Sequence, residues 1–211
     1  MNMKHLLIIG VGVFSDIVYD YAVKSVLFQR DWDIKGFLYG EQDDPQIVLE
    51  KQTIARYDDY ELDKDDVFIC SYISNENRRK VYQVMNGKGA KFTNIIHPSA
   101  NILRNVEVGE GNIIGAFSTL SANVSLGNMN IVQDHSNIGH DTKIGDNNHL
   151  YVGSILCGNN HISNCVSIYT GALIYPSIKI GDSSIVSAGS VVMRHVKEGQ
   201  TVMGNPAKKV E

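Results

Sequence analysis

Two histidines set nine residues apart stand out in the stretch NIGHDTKIGDNNHLYVG at positions 137–153. The first, His140, is followed at once by a carboxylate, Asp141, and the second is His149. An imidazole in its unperturbed state titrates near neutral pH, so it can take a proton from an attacking amine or hydroxyl. A carboxylate beside it would fix its tautomer and stabilise the imidazolium that forms. General-base chemistry is the first reading of the pair. Neighbours along a strand point to opposite sides, so His140 and Asp141 can act together only if a corner of the chain falls at them.

The elements that carry these residues are visible in a six-residue period. Stepping by six from Ile102 to Val192, all sixteen positions are Ile, Leu or Val, and Ile96 extends the series backwards. With these residues at roughly a quarter of a typical chain, such a run arises by chance roughly once in billions. Four places after each aliphatic the residue is usually small or polar (Ser118, Ser136, Thr142, Ser154, Ala172, Ser184, Ser190), and glycine often follows it directly, as at 109, 115, 127, 139, 145 and 181. A fixed short period of this kind marks a parallel β-helix of hexapeptide repeats. Each hexad supplies a short strand and a corner, and three close one coil of about 18 residues; coils stack at about 4.8 Å, so residues 102–192 make about five. No hexad is interrupted, so any active site must be built on the faces of the prism itself. Nine residues is half a coil. His140 and His149 of one chain therefore fall on different faces, and we expect a site between subunits, with His140 from one copy and His149 from its neighbour.

The first 95 residues follow a different rule. Apolar runs at 5–10, 33–39, 66–72 and 92–97 read as strands, and 15–29 and 74–89 read as helices. Ser15 or Asp16 is the expected N-cap of the first helix; Ser74 caps the second, which ends at Gly87 or Gly89. Alternation of strand and helix implies a parallel sheet with helices packed on it. The turn GVGVFS at 10–15 is a degraded dinucleotide fingerprint: Ser15 replaces the third glycine, and Glu41 lies only near the end of the second strand. We reject a nicotinamide cofactor on that basis.

Composition excludes several classes. An apolar fraction of 43% and a charged fraction of 20% are those of a soluble globular chain, and a net charge of −4 gives no reason to expect nucleic acid or an anionic membrane as partner. Cys70, Cys157 and Cys165 are odd in number and lack CxxC spacing, which favours reduced thiols over a disulfide framework or thiolate metal site. The apolar run LLIIG is too short for a signal peptide or a membrane span. A cytoplasmic location is expected.

Repeats of this form resemble the left-handed β-helix acyltransferases, whose prisms assemble as trimers. The tail VKEGQTVMGNPAKKV at 196–210 is similar to that family's closing segment, and the resemblance implies that Gly204, Pro206 and Lys208 lie beside acetyl-CoA. A narrower resemblance covers nearly the whole chain, to bacterial sugar acyltransferases that N-acetylate nucleotide-linked amino sugars or O-acetylate sialic acid. Their signature is matched by His140, Asp141, Ile144, Gly145, His149 and Gly153. The resemblance implies His140 as general base steadied by Asp141, His149 beside the acetyl-CoA thioester, and the Gly158 amide on the oxyanion. It implies a Rossmann-like domain over 1–95 holding a nucleotide sugar at Gly10, Gly12, Val13 and Phe14, then an all-β left-handed parallel β-helix over 96–211. Relatives show an acidic pair after strand two, where this chain has Leu38-Tyr39-Gly40, and a Gly-Asn pattern after strand three, where it has Ser74-Asn75-Glu76-Asn77.

The expected activity is acetyl transfer from acetyl-CoA to an amino group of a nucleotide-activated sugar by direct attack, with no metal and no covalent intermediate. The alternatives are sugar O-acetylation, a zinc hydratase that would use His135 with His140, and a non-catalytic trimeric scaffold. His5, His97, His161 and His195 read as structural or surface residues.

Overall fold

The structure, a computed structural model, describes residues 3–25, 30–44 and 52–210 and divides into two compact units, Met1–Pro98 and Ser99–Glu211. In the first unit, β1 (Lys4–Ile9), β2 (Trp32–Tyr39), β3 (Thr53–Arg56) and β4 (Asp66–Cys70) form a parallel sheet in the order β3-β2-β1-β4. β1 is central, and Leu6, Leu7, Ile8 and Ile9 are fully buried, as a strand covered on both faces requires. Two helices accompany the sheet, α1 (Val13–Lys24) and α2 (Asn75–Gly87).

This unit is not the Rossmann-like domain that the sequence leads one to expect. Only two helices occur among its described residues, and β3 passes to β4 through residues 57–65 without one. That crossover, YDDYELDKD, is crowded with charge and holds a single aliphatic, Leu62, so it has no apolar stripe with which a helix could pack. Lys35 ties it down instead: its ammonium donates to Tyr60 Oη at 2.7 Å, Asp63 Oδ2 at 2.7 Å and the buried Asp66 Oδ1 at 3.0 Å.

Two element boundaries also differ from expectation. α1 begins at Val13 with Gly12 as its N-cap and no side-chain cap hydrogen bond, whereas Ser15 is buried and its hydroxyl pairs with Ser71 Oγ at 2.8 Å. Residues 26–29 of the expected first helix lie outside the described residues. Of the run 92–97 only Ile95–Ile96 forms a strand, while Phe92 bridges Phe68 in parallel.

The second unit is a left-handed β-helix. Every residue of the six-step ladder from Ile102 to Val192 is the second residue of a two-residue strand. From Asn101–Ile102 to Leu173–Ile174 each strand pairs in parallel with the one eighteen residues on, as Asn137–Ile138 does with Ile155–Leu156, while Ile185–Val186 pairs sixteen on with Thr201 and Val202. Three faces result. Face A carries the strands ending at 102, 120, 138, 156, 174 and 192; face B those ending at 108, 126, 144, 162 and 180; face C those ending at 114, 132, 150, 168 and 186, followed by Thr201–Gly204. From Ile114 onward every ladder residue is buried, whereas Ile102 and Val108, at the start of the unit, are not. A fully buried Ile or Leu stabilises by roughly 1.5–3 kcal/mol, so the ladder is the main source of the prism's stability.

The corners explain the small and polar positions. One residue at each corner adopts a left-handed backbone with φ near +60°, and Asn or Asp, which tolerate it, stand at 105, 123, 141, 147 and 159. Inside the prism, Asn112, Asn130 and Asn148 are fully buried in a ladder in which each Oδ1 accepts the backbone N–H one coil on, Asn130 at 2.9 Å, Asn148 at 2.8 Å and Val166 at 2.7 Å. The recurrent glycine after each aliphatic also has a cause. A β-carbon on Gly127 would lie 2.3 Å from Asp146 Oδ1, the atom that caps Asn128 N–H.

Candidate active site

His140 and Asp141 form the turn between faces A and B, so the corner that their pairing requires is present. Asp141 has φ +58°, a left-handed conformation that turns its carboxylate back onto the preceding imidazole. His140 Nδ1 lies 2.7 Å from Asp141 Oδ2, and Asp141 Oδ1 accepts from Asn123 Nδ2 at 2.9 Å. Asn123 is one coil earlier and is itself held by Asn105 Nδ2 at 3.1 Å. Asp141 engages the inner ring nitrogen, which leaves Nε2 for chemistry. His140 remains 61% exposed at its side chain, and such exposure is available only because the residue sits on a corner.

Hydrogen bonds from His140 and then from Asn123 hold the Asp141 carboxyl below the usual carboxylate range. The sign follows from that depression. The stabilising contribution of the group is fully present above the unfolded-state pKa and is lost as pH falls through the folded one. The pair is therefore intact at neutral pH and fails only in acid. Asn123→Ala removes one of the two donors and is expected to raise the Asp141 pKa toward its ordinary value, measured by NMR titration of the carboxyl carbon. An unchanged titration would show that Asn123 does not support the pair.

Gly158 lies one coil beyond His140 on the same corner. A β-carbon built there would stand 2.6 Å from His140 Nε2 and 2.7 Å from Cε1, so the imidazole occupies the space that any side chain at 158 would fill. Gly158 O accepts Ser177 N–H at 3.0 Å, while among the described residues its own N–H makes no hydrogen bond.

His149 is elsewhere. It opens a strand of face C, has no exposed surface, and stacks on Tyr151 at 3.7 Å between centroids, with Tyr151 in turn on Tyr169 at 4.4 Å. Within one chain the structure does not bring it to His140. His135, the residue that the zinc reading pairs with His140, stands on the corner between faces C and A and stacks on Phe117 at 5.2 Å. Among the described residues no group of three or more His, Cys, Asp or Glu could hold a metal ion. Cys70 is fully buried, and burial pushes its thiol up to about 12, which makes it a poor nucleophile.

The closing segment forms an antiparallel hairpin of Thr201–Gly204 and Ala207–Lys209, with Gly204 N–H donating to Ser190 Oγ at 3.2 Å. Lys208 lines a cavity of about 280 Å³ together with Arg194, His195, Gln200 and Lys209. Gly204 and Pro206 are exposed and are not part of its lining. Sequence reasoning passed over Arg194, although it is three coils from His140 in the same corner column and the eighteen-residue period points to it. His195 is in part structural, as expected: its Nδ1 accepts Lys179 N–H at 3.1 Å.

In the first unit, Gly12, Val13 and Phe14 line a cavity of about 290 Å³ with Ser71, Tyr72, Ser74 and Asn77. Gly10 is not part of its lining; it has φ +114°, and a β-carbon there would come 2.6 Å from Ser71 Oγ. The starts of α1 and α2 both face the cavity. Ser74 caps α2 by accepting Asn77 N–H at 3.3 Å. Behind it, the fully buried Arg78 donates to Tyr72 O at 2.9 Å, Ile73 O at 2.8 Å and Asn75 Oδ1 at 2.8 Å. Tyr72 Oη donates to Asp43 Oδ2, which also accepts Gly40 N–H at 2.8 Å; burial, then this bond, pushes the Tyr72 phenol up. Asp43, four residues beyond the end of β2, is a carboxylate that the sequence pattern had not singled out.

No helix among the described residues is long and apolar enough to cross a membrane. No protein-family model matches the chain, and no curated protein sequence matches it either. Solved structures do. A variant of perosamine N-acetyltransferase from Caulobacter crescentus, in complex with CoA and GDP-perosamine, is 23% identical with a TM-score of 0.89 over 100% of this chain and 98% of its own. The acetyltransferase domain of PglB from Neisseria gonorrhoeae, in complex with acetyl coenzyme A, is 23% identical with a TM-score of 0.89 over 99% and 100%. WeeI from Acinetobacter baumannii is 25% identical with a TM-score of 0.85 over 99% and 100%. The likeness to all three is one of fold, and it spans both chains of each pair almost end to end.

Proposed function

We propose that this chain transfers an acetyl group from acetyl-CoA to the amino group of a nucleotide-linked sugar. The observation that carries the reading is the imidazole held by Asp141 at 2.7 Å with its Nε2 over Gly158, on the corner of a prism shared with sugar N-acetyltransferases. His140 Nε2 takes a proton from the attacking amine as its nitrogen bonds to the thioester carbonyl carbon. The Gly158 amide holds the oxyanion that forms. As the carbonyl re-forms, the carbon–sulfur bond breaks, and the imidazolium returns the proton to the departing CoA sulfur. Asp141 keeps the proton on Nδ1 throughout. A preorganised backbone donor of this kind is worth about 3 kcal/mol.

In this reading the cavity at Gly10–Phe14 takes the nucleotide. Two helix starts and the buried Arg78 favour the negative charge of a diphosphate there. The crystal structure of a neighbour with GDP-perosamine supports a nucleotide amino sugar as the class. The closing hairpin, with Gly204, Pro206 and Lys208, lies beside the CoA nucleotide, and Arg194 and Lys209 add positive charge for its phosphates. Three coils of about 4.8 Å separate Arg194 from His140, about 14 Å along the prism. The thioester side of the site is assigned to His149 of a neighbouring copy in a homotrimer, which requires Tyr151 and the other groups that enclose the imidazole within its own chain to move aside there. Exposed Val152, Ile155, Tyr169 and Ile185 on the prism walls support such an assembly. The enzyme works in the cytoplasm, where acetyl-CoA is available.

The decisive experiment is thiol release from acetyl-CoA with a panel of UDP-, dTDP- and GDP-linked amino sugars, with sialic acid as the hydroxyl acceptor. Turnover with an amino sugar is expected. Turnover with sialic acid alone would replace N-acetylation by O-acetylation, and no release with any acceptor would sink the reading. Hybrids of H140A and H149A chains, each inactive alone, are expected to regain activity; failure of every hybrid would remove the shared site.

A further inference from the structure

A repeated device closes the corners of the prism. Between faces B and C, the backbone N–H of one residue is capped by the Asn or Asp side chain one coil on. Glu110 is capped by Asn128 at 2.9 Å, Asn128 by Asp146 at 2.6 Å, Asp146 by Asn164 at 2.8 Å and Asn164 by Asp182 at 2.6 Å. Between faces C and A, Asp134 caps Ala116 at 2.7 Å in the same way, whereas Val152, Thr170 and Ala188 further along that column offer no Asn or Asp. The equivalent positions in the corner column between faces A and B are Arg104, Ala122, His140, Gly158, Pro176 and Arg194, and none is Asn or Asp. The corner that carries His140 is built without the device.

The residue from which Gly158 N–H would be capped is Pro176. It is exposed, next to Ser177, whose own N–H binds Gly158 O at 3.0 Å. Proline has neither a side-chain acceptor nor an N–H, so it can hold the turn without touching the amide above it. We propose that Pro176 is a positioning residue that keeps the Gly158 amide open to the oxyanion, an inference that rests on the acetyl-transfer reading. An Asn at 176 would fill the amide as Asn128 and Asn164 do. Cys157 would not prevent this, because Asp182 caps Asn164 although Ser163 holds the equivalent place with a β-carbon of its own.

The test compares Pro176→Asn with Pro176→Ala in the full-length chain, reading turnover and hydrogen exchange of the Gly158 amide by NMR. P176N is expected to slow exchange at Gly158 and to lower kcat about 100-fold, the cost of losing one oxyanion donor, with the acetyl-CoA KM within about 3-fold. P176A, which offers no acceptor, is expected to restore fast exchange and kcat to within about 5-fold of the parent. The proposal is overturned if P176N turns over at the parent rate with its Gly158 amide protected, or if P176A is as slow as P176N. Equal exchange at Gly158 in both variants would overturn it as well. Failure of the parent chain to transfer acetyl to any acceptor would instead sink the acetyl-transfer reading, and the exchange comparison would still decide whether residue 176 governs the Gly158 amide.

Discussion

His140→Ala is expected to lower kcat about a thousandfold, within the 10²–10⁴ range that a positioned general base contributes, while the prism stays folded. The structure separates the two consequences. The side chain is 61% exposed and stands on a corner, so its removal leaves no cavity in the aliphatic ladder and the melting temperature should stay close to that of the parent. Asp141 keeps its bond from Asn123 in the variant, so the corner retains its shape. Acetyl-CoA binding should persist, because none of the groups around the closing hairpin is touched. The measurements are kcat with the productive amino sugar, thermal melting, and CoA affinity by calorimetry. A kcat within about 10-fold of the parent would remove His140 as the base, since a positioned base is worth more than that. Loss of CoA binding alongside turnover would point to a damaged site rather than missing chemistry. His149 offers the contrast. It is fully buried and stacked on Tyr151, so its removal should cost stability as well as activity.

The prism was legible in the sequence because one physical requirement recurs at each hexad. An inward aliphatic every six residues fills a narrow three-sided core, and all sixteen ladder positions became the second residue of a strand, buried from Ile114 onward. His140 and Asp141 were legible as a pair, yet whether they could touch depended on where the corner fell. The left-handed backbone at 141 settles it, and such a backbone leaves only a weak trace in sequence, a preference for Asn, Asp or Gly. Asn123 was missed because its meaning lies in its distance of one coil from Asp141, invisible until the coil length is known. The first unit was less legible. The same alternation of strand and helix that suggested a Rossmann-like domain also fits a four-stranded sheet with two helices, and the difference rests on a charged crossover held by Lys35. The edge strand β3 is four residues long and half exposed, too short for its pattern to rise above the surrounding loop.

Gly158→Ala should separate activity from stability most sharply of all. Gly158 is not in the left-handed region, so alanine fits its backbone and should stabilise the fold by roughly 0.4–1 kcal/mol through the unfolded state, less any local strain. The new methyl group, however, would stand 2.6 Å from His140 Nε2 and 3.0 Å from its Cδ2, well inside contact distance. The imidazole is exposed and swings away at little energetic cost, and that ease is what makes the substitution damaging to function. Once displaced, Nε2 no longer faces the site beside the Gly158 amide, and a displacement of about 1 Å can cost about 100-fold in rate. The expected result is a melting temperature equal to or slightly above the parent's with kcat lowered at least about 100-fold, and the His140–Asp141 contact altered in the histidine NMR signals. If G158A keeps both its histidine signals and its turnover, the imidazole does not depend on the bare backbone beneath it, and the close approach of His140 to Gly158 has no part in catalysis.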